Sequence, residues 1–164
     1  MHIALMEPTD RRATDEVAAL CASSGTSLHL IGPFGIEVED FEGENAGSAL
    51  DLWVHPDWFE FRRAIARERC YYFSADGTKE VDEARFRPTS VLMFAGPEGM
   101  PERIKEKYPH RMYKLPAGGV RAVLAAAMQK VGAPADRAAR GDGPGTPASE
   151  PKGRPRRRST KKKG

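Results

Sequence analysis

Along the first 132 residues, short unbroken apolar runs alternate with stretches whose apolar positions recur every three or four residues. Ile3-Ala4-Leu5-Met6, Leu28-His29-Leu30-Ile31, Cys70-Tyr71-Tyr72-Phe73, Val91-Leu92-Met93-Phe94 and Met112-Tyr113-Lys114-Leu115 have strand length, and Leu50 to Val54 makes a sixth. Apolar runs without polar alternation predict strands covered on both faces. Between the first two, Thr9 and Asp10 offer capping side chains, and Val17, Ala18, Leu20 and Cys21 form a helical stripe that Gly25 stops. Asp57 caps a second helix bearing Trp58, Phe61, Ile65 and Ala66. Pro101 opens a short helix to Lys107, at a position where its missing N–H costs little. Val120 to Val131 forms an Ala-rich helix ended by Gly132. The acidic segment Glu37–Gly47 reads as a loop.

Strands alternating with helices predict a single α/β domain with a parallel sheet of five or six strands. In open sheets of this kind ligands bind beyond the carboxyl ends of the strands. That singles out Glu7–Ala13, Ala95–Met100 and Pro116–Gly119, where Gly96, Gly99, Gly118 and Gly119 permit close backbone approach.

The pattern stops at Gly132. Beyond it, Pro134, Pro144, Pro147, Pro151 and Pro155 alternate with Gly141, Gly143, Gly145 and Gly153. Such a segment cannot bury enough apolar surface to offset its ordering entropy, so the division is a folded domain over 1–133 and a disordered tail over 134–164. Charge follows the same division. The tail has ten basic and three acidic residues, a net +7; the domain has 16 basic and 20 acidic, a net −4. Polyanion affinity is thereby assigned to the tail, with Arg154, Arg156, Arg157, Arg158, Lys161, Lys162 and Lys163 as the RNA-binding candidates. A solubilising tail without a partner is the other reading.

Composition narrows the classes further. No run approaches 18 apolar residues, and no basic patch precedes a long apolar stretch at the start, so the expectation is a cytoplasmic protein without a membrane span. Cys21 and Cys70 sit among apolar neighbours and read as buried free thiols. No glycine-rich dinucleotide or P-loop pattern is present. His2, His29, His55 and His110 are not spaced as metal ligands, no metal is expected, and His29 reads as a core residue. Trp53, Trp58, Phe59 and Phe61 could stack bases, but their helical spacing favours a core role.

Five segments in order resemble the SPOUT superfamily of RNA methyltransferases, in particular the small tRNA 2′-O-methyltransferases of the wobble nucleotide. Ile3-Ala4-Leu5-Met6-Glu7-Pro8 looks like their opening strand and its Glu-Pro, and Leu20 to Ile31 like their Leu-Cys-Ala-Asn-Thr-Gly segment and second strand. Gly32-Pro33-Phe34-Gly35 resembles their Pro-Met-Gly turn. Leu92 to Pro101 resembles their Phe-Gly-Pro-Glu cofactor loop, and Tyr113-Lys114-Leu115-Pro116 with the helix to Gly132 their closing strand and dimer-forming helix. The resemblance implies a trefoil-knotted sheet, S-adenosylmethionine as cofactor, RNA as substrate and a homodimer through the last helix and the Gly96–Pro101 loop. It also implies cofactor contacts from Phe94, Gly96, Pro97, Glu98, Gly99, Leu115, Gly118 and Gly119.

Three departures stand out. Ala19 occupies the position of the Arg that helps deprotonate or orient the ribose hydroxyl in the family, so no catalytic residue is named. The cofactor loop is two residues shorter between Glu98 and Gly99. Only Pro116-Ala117-Gly118-Gly119 stands where the family has an Asn- and Ser-rich segment. Two functions stay open: an S-adenosylmethionine-dependent RNA 2′-O-methyltransferase, and a catalytically inactive dimeric relative that tethers RNA or ribonucleoprotein through its tail.

Overall fold

The Asp10 side chain accepts the Ala13 N–H at 3.1 Å and starts α1 (Arg11–Ser24), which Gly25 closes in the left-handed region at φ 72°. Asp57 does the same for α3 (Trp58–Ala64), accepting from Glu60 N–H at 2.9 Å. These caps satisfy helix donors that have no partner within the helix. The computed structural model describes residues 1–65 and 69–132. Ala66, the tail from Pro134, and with it all seven RNA-binding candidates lie outside the described residues.

Six parallel strands form one sheet: β1 (His2–Met6), β2 (Ser27–Ile31), β3 (Leu52–His55), β4 (Cys70–Ser74), β5 (Val91–Phe94) and β6 (Met112–Lys114). Their order is β3-β2-β1-β5-β4-β6. The remaining helices are α2 (Val38–Asn45), α4 (Glu102–Lys107) and α5 (Gly119–Gly132). Successive strand residues point to opposite faces, and each face has its own core. Ile3, Leu28, Leu30, Leu92, Phe94, Tyr71 and Phe73 meet α1, α2 and α5 through Val17, Phe41, Val123 and Leu124. Ala4, Met6, Ile31, Tyr72 and Met93 meet Trp58 and Phe61 of α3 and Ile104 of α4.

Two expectations change. Glu37–Gly47 is not a loop: α2 forms because Val38 and Phe41, three apart, bury one face while the acids stay outside. The stripe Val120, Val123, Leu124, Ala127 and Val131, expected at a dimer interface, faces the chain's own sheet. Val123, Leu124 and Ala127 are fully or almost fully buried, and Val120 and Val131 pack beside them. What α5 leaves outside is Arg121, Ala125, Met128, Gln129 and Lys130, of which Ala125 and Met128 are apolar.

Candidate functional site

The three singled-out loops all follow carboxyl ends of strands, of β1, β5 and β6, on one end of the sheet, and the first two meet. The link between the first two is Gly96. A Cβ there would lie 2.6 Å from the Met6 carbonyl oxygen and 3.2 Å from that of Glu7, so only glycine lets the chain after β5 lie against the end of β1. Gly96-Pro97-Glu98-Gly99 is then a tight turn, closed by Gly99 N–H to the Gly96 carbonyl at 3.0 Å, with Gly99 at φ 87°. Met100 is buried just after it and anchors the loop. Pro97, Glu98 and Gly99 are exposed, while Phe94 is buried in the sheet behind them. Glu98 belongs to this turn and does not cap α4, whose N-cap is Pro101.

Glu7, which opens the first singled-out loop, has a backbone conformation that the sequence pattern did not show. It is the one described non-glycine residue at positive φ, 50°, and its N–H bonds the Ile31 carbonyl at 2.7 Å. A left-handed conformation costs a non-glycine residue about 1–2 kcal/mol, and such costs concentrate at ligand sites. The only sequence signal is the Glu-Pro pair directly after an apolar strand.

The third loop leaves β6 with Leu115 N–H bonded to the Ser74 carbonyl at 3.1 Å. Leu115 itself is 42% exposed, an apolar side chain facing outward beside glycines. Gly119, at φ 65°, donates to the Pro116 carbonyl at 2.9 Å and turns the chain into α5. At the end of β4, the Ser74 hydroxyl and then Lys105 hold the Asp76 carboxyl below its usual range. Exposed backbone at Pro97–Gly99 and in the Pro116–Gly119 turn, with exposed Leu115 directly before the second, suits a ligand that has an apolar ring and polar edges.

On α1, Ala19 is exposed. Seven residues earlier Arg12 lies on the same helical face, its side chain 90% exposed and only 3.9 Å from Glu16. Arg11 is instead committed to Asp15 and Glu44 and lies over the Phe41 ring. Trp58 and Phe61 are core residues as expected, whereas Phe59 is 61% exposed beneath the Arg103 guanidinium. Both cysteines are buried and free, and burial pushes the Cys21 thiol up to about 12.

His29 is fully buried and is the middle of a chain of rings. Its Nε2 is 3.0 Å from His2 Nδ1, and its Nδ1 is 2.9 Å from His55 Nε2. Phe61 meets His29 and His55 edge-on. No group of three or more His, Cys, Asp or Glu among the described residues is placed to hold a metal ion, and no described helix is long and apolar enough to cross a membrane.

No protein-family model matches the chain. Curated proteins do. The chain is 31% identical over 121 residues to the tRNA (cytidine(34)-2′-O)-methyltransferase of Methylovorus glucosotrophus, covering 70% of this chain and 78% of that protein. To the enzyme of the same name from Saccharophagus degradans it is 35% identical over 111 residues, 64% of this chain and 71% of the other. The chain belongs to the tRNA (cytidine(34)-2′-O)-methyltransferase family of SPOUT proteins. A structure solved for 2′-hydroxyl methylation of C/U34 on tRNA superposes at a TM-score of 0.65 with 28% identity, over 79% of this chain and 92% of that one. A Bacillus anthracis structure at 22% identity and a TM-score of 0.67 shows the same fold. The single α/β domain with six parallel strands is therefore the SPOUT methyltransferase architecture.

Proposed function

We propose that this chain binds S-adenosylmethionine at the carboxyl ends of β1, β5 and β6 and methylates a ribose 2′-hydroxyl of tRNA. The observation that carries this reading is the Gly96–Gly99 turn, pressed against the end of β1 where no side chain fits, in a chain of this family. The cofactor supplies an electrophilic methyl group on a sulfonium. Backbone groups of Gly96, Pro97, Glu98 and Gly99 and of Gly118 and Gly119 would hold its polar edges. Leu115 would give its adenine an apolar surface, whereas Phe94, expected as a cofactor contact, is buried in the core against Phe73 and only supports the turn from behind. Arg12, the exposed cation on the Ala19 face, is suited to draw the RNA backbone toward α1. The tail adds sequence-independent attraction through its +7 charge. A homodimer would use the outward face of α5 around Ala125 and Met128.

Ala19 favours a second reading, in which the chain binds cofactor and RNA without methylating. Alanine can neither donate to nor polarise a hydroxyl. Calorimetry with S-adenosylhomocysteine and methyl transfer to tRNA separate the two. Low-micromolar binding with transfer supports the enzyme, binding without transfer supports the inactive relative, and no binding at high protein concentration removes both.

A further inference from the structure

A basic cleft of about 570 Å³ opens at the end of the sheet opposite the glycine loops. Arg69 directly precedes β4, Arg111 directly precedes β6, and Arg87 lies in the segment entering β5, so the cleft lies at the amino ends of these strands. Lys79, Arg85 and Lys107 complete its cations, and Glu83 is its one carboxylate. Tyr71 and Tyr113 are buried in its wall, and the Tyr71 hydroxyl donates to the Arg85 carbonyl at 2.6 Å, which ties that segment to the sheet.

None of the six cations has a carboxylate within 4.0 Å among the described residues, whereas Arg11, Arg63, Lys105 and Lys114 all do. Glu83, whose carboxylate also accepts the Glu80 N–H at 2.9 Å, sets one negative charge against the six positive ones. Three lie over aromatic rings instead: Lys79 at 5.8 Å from the Tyr113 centroid, and Lys107 and Arg111 at 5.8 and 5.4 Å from that of Tyr108. In a domain of net charge −4, six of 16 cations gathered around a single carboxylate form a local field of opposite sign to the whole.

We propose that this cleft docks the phosphate backbone of the tRNA at a point away from the nucleotide being modified. The proposal rests on the reading that tRNA is the substrate. A single phosphate needs two or three donors, and six cations on separate segments match a run of phosphates. Distance fits as well. A strand of four or five residues spans ~15 Å at 3.3 Å per residue, and a stacked strand places one phosphate per ~3.4 Å. About five nucleotides therefore separate the modified ribose from the cleft, a reach that a whole tRNA has and a single nucleotide lacks.

The test is filter binding of unfractionated bacterial tRNA to the full chain and to the triple variant Arg69→Gln, Arg85→Gln, Arg87→Gln across a salt series. The thermal midpoint and S-adenosylhomocysteine binding are followed as controls. Loss of three phosphate contacts should weaken binding about tenfold near physiological salt and flatten the salt slope by about 2, at ~0.7–0.9 per phosphate. The triple Lys variant should restore most of both, which misfolding of the Gln variant would not allow. Equal affinity and slope for wild type and Gln variant overturn the cleft while leaving the tRNA reading standing. Protection of the cleft by tripolyphosphate, with tRNA binding unchanged in the Gln variant, overturns it in favour of a small anion. A wild-type chain that binds S-adenosylhomocysteine but no tRNA removes the substrate reading and the cleft together.

Discussion

Acidification should destabilise this domain from about pH 6.5 downward, before its carboxylates protonate, and the histidine chain is the reason. Burial, then the nearby N-terminal amine, lowers His2 from 6.5 to about 4 against an opposing pull from Asp51. Burial lowers His55 to about 4, with Asp57 opposing. Burial, then His2, His55 and the amine, lowers His29 well below its usual value. Each ring is neutral in the fold and basic when unfolded, so between about pH 4 and 6.5 the unfolded chain binds more protons, and stability falls as pH falls. The contribution is complete above 6.5 and is lost progressively down to about 4. At pH ~5 the loss is about 2 kcal/mol for each of His2 and His55, on the order of 4 together, with His29 acting in the same direction. Against a typical total of 5–15 kcal/mol this is large, and it should lower the thermal midpoint by roughly 10–20 °C from pH ~7.5 to ~5. Scanning calorimetry of the full chain in matched ionic strength measures it. The variant His2→Gln should flatten the dependence by its share. A midpoint that shifts by under about 3 °C across this range would refute the reasoning, since the rings would then titrate alike folded and unfolded.

Other outcomes follow from single positions. Gly96→Ala places a Cβ against the Met6 carbonyl and should weaken S-adenosylhomocysteine binding at least tenfold, by roughly 1.4 kcal/mol or more, in calorimetry. Asp10→Ala removes the α1 cap and should cost about 1 kcal/mol in urea denaturation. Ala19→Arg, facing solvent on α1, should raise methyl transfer without altering the midpoint, whereas Arg12→Ala should raise the KM for tRNA. Neutralising Arg156, Arg157, Arg158, Lys161, Lys162 and Lys163 to Gln should flatten the salt slope of tRNA binding by about 4, at ~0.7 per single-strand phosphate; an unchanged slope would remove the tether.

The elements of this fold were legible because local signals agree. Asp10, Asp57 and Gly25 act as caps where they stand, and the unbroken apolar run Val91–Phe94 is too short for a helix and is covered on both faces as a central strand. The helix α2 escaped notice because two apolar residues among acids give too weak a period, and its burial of Phe41 is decided by the sheet it packs on. The cofactor-loop glycines were readable from their resemblance, but the reason for Gly96 is a carbonyl 90 residues earlier in the chain. Glu7 stands in a loop the strand pattern singles out, but its positive φ was not legible because such a conformation in a non-glycine residue has no compositional signature. The histidine chain and the basic cleft join residues far apart in sequence. His2, His29 and His55 fall together only through the register of β1, β2 and β3, and net charge over the domain hides a cluster of the opposite sign.

Methyl transfer by this chain to tRNA is read most plainly by mass spectrometry of nuclease-digested tRNA after incubation with the full chain and S-adenosylmethionine. The expected product carries a single 2′-O-methylated ribose, at nucleotide 34 as in the relatives' names, and is lost in Gly96→Ala. Unmodified tRNA under conditions where the chain binds both S-adenosylhomocysteine and tRNA would contradict methyl transfer and leave the non-catalytic relative in its place.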